Sequence, residues 1–149
     1  FNIHKNHILD MSEVPGPFIP DVVESAKAIG LELAEAIELV GVLCLELFLM
    51  PSGELRANEI APRPHNSGHW TLDAAHTDQF EQLIRAVCGL PLGNPGRFID
   101  ARMQNIIGDD MVKVPRYLQM SNAKLHLYGK RDARPGRKMG HVTFVGPSP

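Results

Sequence analysis

The chain has 149 residues, with 15 Lys and Arg against 17 Asp and Glu, 44% hydrophobic residues and 21% charged ones. That balance excludes a disordered polymer, and without a clustered cationic excess it argues against nucleic acid as the main partner. A chain of this length buries roughly 68–70% of its unfolded surface, enough for one domain with a small appendage, and no apolar run approaches the ~20 residues that span a bilayer.

Phe1 to Leu9 alternates loosely and reads as a strand. The opening on Phe1 without Met, directly in strand-like sequence, points to a piece of a longer polypeptide. Pro15, Gly16, Pro17 and Pro20 break regular structure. From Asp21 to about Leu39 the pattern is helical, with Val22, Val23, Ala26, Ile29, Leu33, Ala34 and Ile37 near one face. Gly41 to Met50 is a continuous apolar run bearing one charge, read as a buried strand that ends at the Pro51-Ser52-Gly53 turn. Glu54 to Ile60 returns as a second strand. Ala61 to His69, with two Pro and one Gly, is loop, and Trp70 to Cys88 is mostly helical with Gly89 as its stop.

Leu90 to Gly96 is a connector and places a domain boundary, 1–93 against 94–149. Beyond it come strand candidates at Arg97 to Ile107, Lys124 to Tyr128 and His141 to Val145, separated by turn residues. The Pro-Ser-Pro tail is expected to fray. The predicted class is therefore α+β: an antiparallel sheet with helices, then a small β-rich appendage. Cys44 and Cys88 belong to no CxxC pair and read as two reduced core thiols of a cytoplasmic protein.

Glu46 and Glu59 carry the strongest chemical signal. Side chains alternate along a strand, so Glu46 shares a face with Val42, Cys44 and Phe48. A lone carboxylate in so apolar a strand is costly unless compensated. Folding the hairpin about Ser52-Gly53 makes opposed residues sum to about 105, which sets Glu46 against Glu59 and Phe48 against Ala57. Like charges across a ladder destabilise it, whereas Mg²⁺, a hard cation served by carboxylates and substrate phosphates, would turn the cost into binding. The competing readings are a bulge that shifts the register, or an Arg such as Arg63 paired with each Glu.

Arg63, His65, Asn66, Ser67 and His69 crowd the loop that leaves the Glu59 strand, stiffened by Pro62 and Pro64. Arg63 can grip an oxyanion bidentately and His65 can move a proton near neutral pH. A polar loop that only caps the next helix is the other reading. Lys130 to Lys138 holds five of the 15 basic residues, a cationic turn suited to one phosphate group or simply a solvated turn. His4, His7, His76, His126 and His141 lie apart and read as surface or satisfied core histidines.

Leu45-Glu46-Leu47-Phe48 followed by the run NEIAPRPHNSGH, Asn58 to His69, resembles the metal-binding hairpin and loop of ATP-grasp enzymes. With Gln79-Phe80-Glu81, Gly89-Leu90-Pro91-Leu92-Gly93 and the late LHLYGK…RPGRKMGHVTF, the chain is similar to the N5-carboxyaminoimidazole ribonucleotide synthetase family, the ATPase subunit of phosphoribosylaminoimidazole carboxylase. The resemblance runs through nearly the whole chain and matches the last part of a three-domain enzyme, so the stretch is expected to be inactive alone. It implies ATP- and bicarbonate-dependent carboxylation of aminoimidazole ribonucleotide through carboxyphosphate, in a cytoplasmic homodimer that binds neither nucleic acid nor membrane. It implies Glu46 and Glu59 as Mg²⁺ ligands and Asn58 and Glu59 as nucleotide contacts. It implies Arg63 and His65 as catalytic groups, and His65, Asn66, Lys130 and Arg137 as contacts to the ribonucleotide. Asp78 stands where the family usually has Ser, and Phe1 where it has Glu. A formate-dependent glycinamide ribonucleotide transformylase shares the loop only up to Arg-Pro-His; a non-catalytic phosphate- or partner-binding fragment is the reading from a different class.

Overall fold

In the computed structural model, which describes residues 1–146, the start of the chain is a hairpin and not one strand. Strands β1 (Asn2–Lys5) and β2 (Ile8–Val14) pair antiparallel, closed at Lys5 and Ile8. The two residues between them, Asn6 and His7, both have positive φ, 50° and 62°. That conformation matches the right-handed twist of the flanking strands, and Asn and His are among the residues that tolerate it.

Helix α1 (Pro20–Ala36) begins as predicted, with Pro in its first turn and Asp21 beside the helix N-terminus. Its apolar stripe is only partly covered: Val22, Val23, Ala26, Leu33 and Ala34 are half-buried, whereas Ile29 and Ile37 are exposed. Strands β3 (Cys44–Leu49) and β4 (Leu55–Ala61) make a separate two-stranded sheet. The apolar run does not give a buried strand: Phe48 and Leu49 are exposed, and Glu46, 7% exposed, is the buried residue of β3.

The long helix expected after the loop is broken in two. Helix α2 (Thr71–Ala74) stops because Ala75 turns extended and bridges to Arg97. Helix α3 (Gln79–Val87) starts afresh at Asp78, whose carboxylate accepts from the amides of Phe80 and Glu81 at 2.7 and 3.1 Å. Asp serves as well as Ser at that position, because each offers the oxygen that satisfies orphan helix amides. Gly89, with φ 65°, ends α3. Cys88 follows the helix and is exposed, so it is no core thiol; Cys44 is half-buried, and both are free.

Strands β5 (Ala101–Ile107), β6 (Ala123–Leu127) and β7 (Lys138–Val145) confirm the late strand candidates, with a 3-10 turn over Gly108–Lys113 and the short helix α4 (Val114–Tyr117) between β5 and β6. They join the first hairpin in one antiparallel sheet of order β1-β2-β5-β7-β6. The sheet thus crosses the 93/94 connector. Its inner strands carry most of the core: Leu9, Ala101, Met103, Ile106, Met139 and Val142 are buried, together with Ser12, Asn105, His141 and Thr143. The architecture is mixed α and β with antiparallel sheets, in accord with the predicted class. The Pro-Ser-Pro tail lies outside the described residues. Among the described residues no helix is long and apolar enough to cross a membrane.

Candidate functional site

Glu46 and Glu59 stand directly opposite each other across β3 and β4, as the turn position predicts. A bulge lies immediately beyond them. Cys44, Leu45 and Glu46 pair with Ala61, Ile60 and Glu59, but Leu47 then pairs with Ala57 and Phe48 with Arg56, not with Ala57. Asn58 is the extra residue. Bulges re-aim side chains, and here the Asn58 amide donates to Glu46 Oε2 at 3.3 Å. Glu46 Oε1 accepts from Asn2 of β1 at 3.2 Å.

The His65 imidazole lies between the two carboxylates. Its Nδ1 is 3.8 Å from Glu46 Oε1 and its Nε2 is 3.6 Å from Glu59 Oε1. Ser67 Oγ sits 2.9 Å from the same Nδ1. The backbone of His65 is clamped by Gln79, whose Oε1 accepts from His65 N–H at 2.8 Å while its Nε2 donates to His65 O at 2.9 Å and to His69 Nδ1 at 2.9 Å. A Cβ on Gly68 would come within 2.6 Å of Gln79 Oε1, so the clamp requires glycine there. Cys44 Sγ approaches Ser67 Oγ at 3.5 Å, and burial pushes its thiol pKa up, which keeps it protonated.

Two clefts meet at Glu46. The larger, about 730 Å³, is mainly apolar and runs between α1 and β3, lined by Phe18, Val22, Val23, Leu45, Leu47 and Asn58. The smaller, about 430 Å³, is polar and lined by Glu46, Glu59, Arg63, His65, Lys130 and Lys138, with His4 and His7 at its edge. Glu46 and His4 line both.

The predicted residues divide accordingly. Glu46, Glu59, Arg63, His65 and Lys130 converge on the polar cleft, and Asn58 on the apolar one. Lys130 Nζ donates to the Lys138 carbonyl at 2.6 Å and lies over the Tyr128 ring. Arg137 points elsewhere, donating to Asp132 O at 3.2 Å. The Asn66 amide is buried, and among the described residues neither of its atoms has a hydrogen-bond partner.

Lys138, Gln79, Asn2 and His4 were missed by sequence reasoning. For Lys138 the signal was its place in the basic turn; burial pulls its pKa down, while Glu59 and Glu46 oppose the shift. Nor do the other histidines all lie apart. His4 and His7 reach the polar cleft, while His126 and His141 stack together beside His69.

The chain as a whole is similar to known proteins. An ATP-grasp domain model matches residues 1–80, and a phosphoribosylaminoimidazole carboxylase C-terminal domain model matches residues 101–149. The chain belongs to the ATP-grasp family. It is similar to the N5-carboxyaminoimidazole ribonucleotide synthase of Brucella melitensis, 54% identical over 98% of this chain and 40% of that protein. The Bacillus subtilis protein of the same name is 48% identical over 97% of this chain and 38% of its own length. A solved N5-carboxyaminoimidazole synthase from Aspergillus clavatus, in complex with ADP and 5-aminoimidazole ribonucleotide, matches with TM-score 0.92 and 31% identity, over 99% of this chain and 42% of that one. The chain spans about two fifths of the length of the curated relatives it matches.

Proposed function

We propose that the chain forms the carboxylating half of an ATP-grasp ligase. The reaction joins ATP and bicarbonate to give carboxyphosphate and ADP. Carboxyphosphate then releases CO₂ and phosphate, and the exocyclic amine of aminoimidazole ribonucleotide captures the CO₂. The observation that carries this reading is the position of Glu46 at the junction of the two clefts. An apolar cleft suits a purine base, a cationic cleft suits bicarbonate and phosphate, and a carboxylate between them belongs where a phosphoryl group crosses.

The residues fit Mg²⁺. Glu46 is buried, yet among the described residues no Lys or Arg comes within 4.0 Å of it or of Glu59. Two acceptor-only carboxylates side by side are the hard oxygen donors this cation takes. Held by Glu46 and Glu59, it would neutralise charge on the phosphoryl oxygens. Asn58 and Glu59 contact the nucleotide at the bulge. Arg63 orients the bicarbonate oxyanion, and His65 holds or moves a proton at Nε2, its Nδ1 side being occupied by Ser67. His65 and Asn66 belong beside the imidazole, and Lys130 takes the ribonucleotide 5′-phosphate together with Lys138, which lines the same cleft, in place of Arg137, whose guanidinium is bonded to Asp132 O. Residues 1–93 form the ATP-grasp part and 94–149 the β-rich part of a cytoplasmic homodimer.

The test is phosphate release by the full-length enzyme with ATP and bicarbonate, with and without aminoimidazole ribonucleotide. Release that needs the ribonucleotide, and that falls in Glu59→Gln with a raised Mg²⁺ requirement, is expected. Release that depends on formate and glycinamide ribonucleotide would overturn the assignment in favour of a transformylase.

A further inference from the structure

We propose that Asp73, His126 and His141 form a second metal site, for a divalent ion of the zinc class. It shares no residue with the carboxylate pair and does not depend on the reaction proposed above.

His126 of β6 and His141 of β7 are direct cross-strand partners, so their side chains leave the same face of the sheet. Their rings stack with centroids 4.6 Å apart. Asp73 of α2 reaches this face, and its carboxylate lies 2.9 Å from His126 Nε2. One donor atom from each of the three falls within 4.8 Å of the others. In a tetrahedral site with bonds of about 2.0–2.1 Å, donors stand roughly 3.3 Å apart. The Asp73–His126 edge is already near that length. The other two edges, from His141 to each of its partners, lie within 4.8 Å and close with a turn of the His126 ring, whose side chain is 34% exposed, and a small shift of the Asp73 carboxylate.

The independent sign of a ligand is His141. The residue is 1% exposed, and among the described residues its Nε2 has no hydrogen-bond partner. Such an orphan is costly unless something meets it. Its Nδ1 is 2.8 Å from the Tyr128 hydroxyl, and the His69 ring stacks at 4.9 Å, so the imidazole is held in place. If Nδ1–H donates to the Tyr128 oxygen, Nε2 carries a bare lone pair, which is the tautomer and support that metal-ligating histidines use. Burial holds the His141 pKa down at about 3, so the ring is neutral at physiological pH. On binding, the proton that His126 Nε2 shares with Asp73 moves to Nδ1 and the Nε2 lone pair turns to the ion. Two imidazoles and one carboxylate favour Zn²⁺ or Co²⁺ over Mg²⁺ or Ca²⁺. The ion would tie α2, which directly follows the anion loop, to the C-terminal strands.

The test uses chelator-treated protein titrated with Co²⁺ and then Zn²⁺. One equivalent of Co²⁺ should give the intense visible bands of a tetrahedral centre, Zn²⁺ should displace it, and the Tm should rise with either ion. Asp73→Asn and His126→Gln should each lose the bands while keeping the folded circular dichroism spectrum. Tyr128→Phe should keep the bands and weaken affinity about 10–100-fold. Glu46→Gln should retain them. Absence of the bands in wild type would overturn the proposal, as would bands that survive both Asp73→Asn and His126→Gln. Bands lost only in Glu46→Gln would place the ion in the polar cleft instead and equally refute it.

Discussion

Replacing Gln79 by Ala removes the clamp on the anion loop. The side chain makes three hydrogen bonds, two with the backbone of His65 and one with His69 Nδ1. At about 1 kcal/mol net for each bond, the loss is about 3 kcal/mol. For a domain of this size that corresponds to a fall in Tm of about 6–12 °C, at about 2–4 °C per kcal/mol. Gln79→Glu keeps the acceptor for His65 N–H but has no donor for His65 O or His69, so it should fall between Ala and wild type. Differential scanning calorimetry measures the total, and amide hydrogen exchange at His65 locates it. The two readouts separate global destabilisation from local opening of residues 65–69. A Gln79→Ala protein that melts within about 1 °C of wild type, with unchanged protection at His65, would refute the clamp.

Three further outcomes are expected. Lys138→Ala should weaken binding of inorganic phosphate, read by calorimetry, more than Arg137→Ala, because Lys138 lines the polar cleft while Arg137 is bonded to Asp132 O; the reverse order would assign the clamp to Arg137. Glu46→Gln and Glu59→Gln should each raise the Mg²⁺ concentration needed for half-maximal ATP turnover in the full-length enzyme, and an unchanged requirement would exclude a ligand role. With chelator present, stability should depend on pH through His69 and His141, whose pKa values burial lowers to about 4 and about 3. The unfolded chain binds protons at these rings near pH ~6.5 and the folded one does not, so their contribution is full above that value and is lost as pH falls through the folded values. Thermal melts should therefore show Tm dropping below about pH 6.5, and a flat profile from there to about pH 4 would contradict the burial argument.

The opposition of Glu46 and Glu59 was legible in the amino-acid sequence because a hairpin with a short turn ties register to residue number. Helix α1, with its start at Pro20, and the three late strands were legible for a similar reason: capping, turn chemistry and side-chain period act within a few residues. The break that ends α2 at Ala74 and restarts α3 at Asp78 was not, because Ala75 turns extended to meet the distant Arg97. The bulge at Asn58 was not, and it moved Phe48 from Ala57 to Arg56, since an extra residue in one strand leaves the hydrophobic pattern almost unchanged. Nor could local pattern show that β2 pairs with β5 across the connector, because strand order depends on which distant edges meet, not on the sequence of either strand. The β5–β7 and β6–β7 pairings set β7 between β5 and β6 and placed His141 against His126, with Asp73 and His69 brought in beside them. The same pairings carry Lys130 and Lys138 to a cleft whose carboxylates lie more than seventy residues earlier. Residue types and short-range geometry determined which groups could do chemistry; only the closing of the five-stranded sheet decided which of them share a site, because each neighbour is supplied by a segment that its own sequence does not specify.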